Sequence, residues 1–171
     1  MDAPKVDLAA AARISSRVEF RDIRLNEISA SSPMRSHGDL EPLIQHRCAA
    51  TKHEGDLLEV TCSYELRVKA GGDEVVKADL SYLVSYTLLG EDPVDQNDLE
   101  QFAFANGTYH SWPFVRQLLF DLTSRMGYPP YSLPVFKFFP KRPKAAAQPQ
   151  TDGTPANTAG ESKAEASTSS A

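Results

Sequence analysis

The sequence predicts an α+β fold, a four-stranded antiparallel sheet with one face covered by an amphipathic helix. Three observations predict it. Leu58, Val60, Cys62, Tyr64, Leu66 and Val68 fall on one side of a period-two run, with Glu59, Thr61, Ser63, Glu65 and Arg67 on the other. Val76, Ala78, Leu80, Tyr82, Val84, Tyr86 and Leu88 repeat that pattern opposite Lys77, Asp79, Ser81 and Ser85. Such alternation gives a sheet with one apolar and one polar face. The third observation is a helical spacing: Val115, Leu118, Leu119, Leu122 and Met126 form one apolar stripe, which can cover the apolar face.

The elements follow in order. Residues 1–17 read as an N-terminal extension, in which Asp7 caps a short Ala-rich helix reaching about Ser16. A first strand is expected over 18–29. Val18 and Phe20 alternate with polar residues, Ile23 and Leu25 do the same, and the phase slip between the pairs predicts a bulge. Ser, Pro and Gly make 30–39 a loop, and weak alternation over 41–50 predicts a second strand. Gly71-Gly72-Asp73 turns the chain between long strands at 57–70 and 75–89. Asp92-Pro93 opens a short helix that Asn106-Gly107 is expected to end. A separate helix is then predicted over 112–126, with Ser111 as N-cap, Pro113 in the first turn and Gly127 at C′. Pro129-Pro130 forbid its continuation.

Aromatic residues gather around that helix. The stretch 109–139 holds the only Trp, five of eight Phe and three of six Tyr. Trp112, Phe114 and Val115 are expected in the core, whereas Phe120 lies off the apolar stripe. Tyr128, Tyr131, Phe136, Phe138 and Phe139 occupy a proline-interrupted segment where no regular element buries them all. Large apolar patches of this kind mark interaction sites. A homo-oligomer interface and a groove for apolar segments of other proteins are the two uses weighed for them. Past the domain at 18–140, residues 141–171 turn to Ala, Ser, Thr, Pro, Gln and Gly with no aromatic. Such a tail buries too little surface to offset its ordering entropy and is expected to be disordered.

Bulk properties exclude several classes. A net charge of −5 disfavours nucleic-acid binding, which needs clustered Lys and Arg. No apolar run of about 18 residues exists to span a membrane, and the N-terminus lacks a charged region followed by an apolar core, so secretion is not expected. Cys48 and Cys62, without CxxC spacing, fit a reducing compartment, so a cytoplasmic location is expected. His37, His46, His53 and His110 with the two Cys match no zinc spacing. A hydrolytic set of His110, Ser111 and Asp121 fails because neighbours on a helix do not face each other. Neither a catalytic site, a metal nor a cofactor is therefore expected. The enzymatic alternative is a small ligand-binding enzyme of hot-dog type using His110 or Asp98, both placed at solvated ends.

The same residues carry a resemblance. Trp112-Pro113-Phe114-x-Arg116 resembles the Phe-Pro-Tyr-x-Arg opening of the long helix in the SecB family of protein-export chaperones. Thr123-Ser124-Arg125, Tyr128-Pro129, Leu133 and Pro134-Val135 are similar to the family's helix end and loop, and 57–68 and 75–88 to its long hairpin. Arg21-Asp22-Ile23 and Leu25 resemble the first strand, so coverage runs from 18 to 139. The resemblance implies a homotetramer, a dimer of dimers, that holds unfolded polypeptides or preproteins without ATP. It implies client binding at Trp112, Phe120, Tyr128, Tyr131, Phe136 and Phe138, and docking of the motor SecA at Asp22 and Asp79. Asn26 and Lys77 depart from the family's docking pattern, and Pro140 and Pro143 cut short its second long helix. In these departures the chain resembles divergent SecB-like chaperones that protect one antitoxin of a toxin–antitoxin pair. Export chaperoning is placed first and the antitoxin-dedicated role close behind.

Overall fold

The computed structural model describes residues 6–33 and 38–136. Asp7 caps α1 (Leu8–Ser15) by accepting from the amides of Ala9 and Ala10, as a short side chain at that position does. Four strands follow: β1 (Val18–Ser31), β2 (Leu40–Glu54), β3 (Leu57–Ala70) and β4 (Asp73–Leu88). They pair antiparallel in the order β1-β4-β3-β2, so the link from β1 to β2 passes from one edge of the sheet to the other. Gly71 and Gly72 both take positive φ, 61° and 95°, in a two-residue hairpin loop that requires it.

The predicted bulge is present. Phe20 faces Tyr86, the register shifts, and Ile23 then faces Val84. A second shift between Leu25 and Glu27 returns Ile28 to the same side, opposite Leu80. Without these two extra residues half of the apolar side chains of β1 would change faces, because strand side chains alternate with a period of two.

The helical half corrects the sequence reading. One helix, α2 (Gln96–Arg125), replaces the two expected, with Asp95 as its N-cap, and both Gly107 and Pro113 lie inside it. Gly107 ends nothing; it allows close packing. A Cβ there would stand 2.8 Å from Cys62 Sγ and 2.8 Å from Val60 Cγ1, so only a bare backbone passes over β3 at this point. Ser111 is not an N-cap either: its hydroxyl bonds the Gly107 carbonyl and the Tyr64 hydroxyl. Pro113 withholds the amide that would reach the Tyr109 carbonyl, on a turn whose side chains Tyr109 and Phe114 are exposed. The predicted end is correct. Gly127 takes φ 82°, its N–H reaches the Ser124 carbonyl, and Tyr128 N–H reaches that of Thr123, the paired bonds of a Schellman motif.

The core lies between α2 and the even-numbered residues of β3 and β4, with Tyr64, Leu66, Val60, Val84 and Tyr86 at or near zero exposure. Val115 and Leu119 of the predicted stripe are fully buried, and Leu118, Leu122 and Met126 pack against them partly covered. Phe114 departs from expectation: it is exposed and touches the rim of Tyr82. α1 docks on α2 through Arg13, whose guanidinium meets both carboxylate oxygens of Asp98, at 2.6 and 2.5 Å. The tail 141–171, Pro140, His37, Phe138 and Phe139 lie outside the described residues.

Candidate functional site

After the Schellman turn the chain runs back along α2 and makes a second wall beside it. Three contacts hold this return segment. Thr123 Oγ1 accepts from the Tyr131 amide at 2.8 Å, Arg116 reaches Ser132 Oγ at 3.3 Å, and Trp112 Nε1–H donates to the Pro134 carbonyl at 2.8 Å. Leu133 is fully buried between them. Between helix and segment lies an open groove of about 380 Å³ lined by Trp112, Pro113, Arg116, Gln117, Phe120, Ser132, Val135 and Phe136.

Of the six aromatic residues expected to bind clients, the fold brings three to this groove: Trp112, Phe120 and Phe136. Phe120 is 42% exposed, as its place off the apolar stripe requires. Tyr131 packs partly covered against the core at the head of the return segment, and Tyr128 is buried in the core. Phe138 is outside the described residues. Arg116 is the only charged side chain lining the groove among the described residues, and no carboxylate lines it.

Sequence reasoning weighed His46 only as a zinc ligand and missed what surrounds it. Its imidazole stacks on Tyr64 (5.7 Å, 11°) and Phe104 (5.3 Å, 27°), and meets Trp112 at 5.6 Å and Phe136 at 5.9 Å. Trp112 and Phe136 touch each other at 5.0 Å. The even spacing of His46 with Ile44 and Cys48 places it on the helix side of β2, and that spacing was the available signal. Burial pushes the imidazole below its ordinary pKa.

The remaining candidate groups serve the fold. Cys48 and Cys62 face each other across β2 and β3, buried under Gly107, and the Cys62 thiol is pushed up by its hydrogen bond with Cys48 and by burial. Among the described residues no three His, Cys, Asp or Glu gather to hold a metal. His110 is no helix-end group: it sits within α2, where Nδ1 meets the Tyr86 hydroxyl at 2.8 Å. Asp98 is also not solvated but buried against Arg13, which holds its carboxyl below the usual range. Asp121 accepts from Gln117, so His110, Ser111 and Asp121 are each engaged elsewhere.

A second apolar surface lies on β1. Phe20 (50% exposed), Leu25 and Ile28 point to the same side as the core residues of β4, yet α2 leaves them largely exposed, its His110 ring meeting Phe20 at 5.2 Å. The opposite, polar side of the sheet carries both expected docking residues. Asp22 is exposed beside Ser85, while Asp79 is engaged by Arg67 at 2.6 Å and by Lys77 at 3.8 Å.

Comparison with known proteins finds no matching family model. The chain is 27% identical to the SecB-like chaperone Rv1957 of Mycobacterium tuberculosis strain H37Rv, over 90% of this chain and 97% of that protein. The SecB-like chaperone MT2006 of strain CDC 1551 matches at the same identity and coverage. The solved structure of M. tuberculosis Rv1957 SecB-like chaperone in complex with a ChAD peptide from Rv1956 HigA1 antitoxin superposes with a TM-score of 0.69 at 26% identity. That match covers 77% of this chain and all of that one. These relatives are named chaperones, with which the expectation that this chain is not an enzyme is consistent. The sheet order, the long capped helix and the sequence likeness over nearly the whole chain agree, and the chain is similar in sequence and fold to the SecB-like chaperones, as a divergent relative of them.

Proposed function

We propose that the protein is an ATP-independent holding chaperone of the cytoplasm whose groove between α2 and the return segment grips an extended apolar stretch of a non-native polypeptide. The observation that carries this is the groove itself. Three aromatic side chains stand around one open concavity, held there by the Trp112–Pro134, Arg116–Ser132 and Thr123–Tyr131 bonds. A client side chain entering it loses apolar surface to water, worth about 25 cal/mol per Å². Suppression of aggregation of a denatured protein without nucleotide tests it, with Phe120→Ser and Phe136→Ser losing the effect. A flat assay with wild-type protein overturns it.

We further infer a dedicated client of the antitoxin kind ahead of general export. The structural relative is bound to an antitoxin peptide. Docking of a basic motor calls for free acidic groups, since complementary charge sets encounter and register. Here Arg67 and Lys77 engage Asp79, which leaves Asp22 as the more available of the expected pair. This reverses the order that the sequence alone favours. A pull-down from the native host decides it. One stoichiometric small partner supports the dedicated role; recovery of SecA, with an export defect in a deletion strain, restores the export role. The largely exposed apolar stripe of Phe20, Leu25 and Ile28 supports a homo-oligomer, for which the family resemblance favours a tetramer. Light scattering that shows a monomer at micromolar concentration ends that part.

A further inference from the structure

The inference rests on the client-groove reading and names a group that controls the same groove. Trp112 comes from α2 and Phe136 from the return segment, so the two walls meet where these rings touch. His46, from β2, touches both, and is backed by Tyr64 and Phe104. Three separate stretches of chain therefore converge on one imidazole. Its Nε2 is buried and finds no hydrogen-bond partner among the described residues. A neutral ring tolerates this as a bare acceptor, but a protonated ring places a charged donor there with nothing to receive it.

The ionisable groups around it supply no counter-ion inside the aromatic cluster. On its own strand Cys48 shares its face and Arg47 points to the other. From β3, Cys62 and Tyr64 lie on the same side, both pushed toward their neutral forms. Glu65 and Arg47 share a concavity of about 330 Å³ with His46 at the β2 edge, and the Glu65 carboxylate there meets Arg67 at 3.5 Å. From α2 the only charged side chain lining the groove is Arg116, of like sign to an imidazolium. Among its described residues the return segment that bears Phe136 contributes no titratable group other than Tyr128 and Tyr131.

We infer that His46 is a positioning residue for the groove: as a neutral ring it holds Trp112 and Phe136 in contact, and on taking up a proton it lets the two walls part and the client go. The burial that disfavours the charged ring sets the sense of the response, with grip retained at neutral pH and lost on acidification below the ordinary imidazole value of 6.5.

The chain has a single Trp, and it is one of the two rings at issue, so its emission reports on the contact directly. Trp112 emission of the full chain is titrated from about pH 7.5 to 5.5, the range of an imidazole. The same titration is run on His46→Phe, which keeps an aromatic ring, and on His110→Gln, which removes the half-buried histidine of α2. Affinity for a rhodamine-labelled peptide rich in Leu and Phe is measured across the same range. Expected are an emission change in wild type and His110→Gln, none in His46→Phe, and a peptide Kd that rises about tenfold with acid only where emission changes. Flat wild-type emission overturns the inference. So does an emission change without a change in Kd, and that outcome leaves the groove reading standing. Failure to retain peptide at any pH overturns both, and is told apart by being independent of pH. Should His46→Phe fail to fold, His46→Gln takes its place with the same expectation.

Discussion

Two halves of one sheet face behave oppositely. On β3, Val60, Tyr64 and Leu66 are closed off by α2, at 1% exposure or less. On β1, Phe20, Leu25 and Ile28 are brought to the same face by two bulges, yet stand 40% exposed or more. The residue types are alike, and both strands pair with β4. What differs is the course of α2, which packs over β2, β3 and β4 and covers β1 only in part, where His110 meets Phe20. Alternation therefore tells which side of a strand is apolar. Whether anything covers that side depends on the packing of elements distant in sequence.

Substitutions can break or sharpen this contrast. The largest effect is expected on the covered half: Tyr64→Ala removes a fully buried ring and its 2.6 Å bond to Ser111, and should cost about 3–5 kcal/mol in urea unfolding. Gly107→Ala comes next. Its methyl would meet Cys62 and Val60 at 2.8 Å, and forcing the helix outward should cost about 1–3 kcal/mol by the same measurement. Arg13→Gln or Asp98→Asn should release α1 alone, read as faster amide exchange at Ala10, Ala11 and Ile14 with the sheet unchanged. Acid should do the same to wild type. The Asp98 carboxyl is depressed when folded, so its contribution is complete above its ordinary value of 3.8 and is lost as pH falls through the lower folded value. The smallest effects on stability are expected on the largely exposed half. Leu25→Ser should stay within about 0.5 kcal/mol of wild type in an isolated chain. A much larger loss that depends on protein concentration would mean that a second copy covers β1.

Much of the fold was legible because strands advertise themselves locally. The slip between Phe20 and Ile23 announced a bulge, and Gly127 before Pro129-Pro130 announced a helix end; both depend on a few neighbouring residues. The single long helix was not legible. Asn106-Gly107 and Ser111-Trp112-Pro113 are strong local signals for an end and a start, and tertiary contact overrides both, since Gly107 is required by Cys62 and Val60 beneath it. The exposure of Phe120 could be read from its departure from the helix stripe. Tyr128 was not separable from the groove aromatics by sequence, because its burial follows from the path of the chain after the Schellman turn. His46 was hidden for a similar reason: its four ring contacts come from β3, from two places on α2 and from the return segment.

The strand order has a consequence for how the protein is made. β2, β3 and β4 follow one another as hairpins and can pair as they leave the ribosome, but β1 bonds to β4 and to no other described strand. Val18 therefore has no partner until Leu88 has been synthesised, and at about 5–20 residues per second that is a delay of several seconds. Pulsed hydrogen exchange during refolding should find β3 and β4 amides protected before those of β1. Through that interval Phe20, Ile23, Leu25 and Ile28 form an unpaired apolar strand on a nascent chain, the kind of segment that a holding chaperone exists to shield. Each new copy must cross that stage unaided or in the groove of a copy already folded.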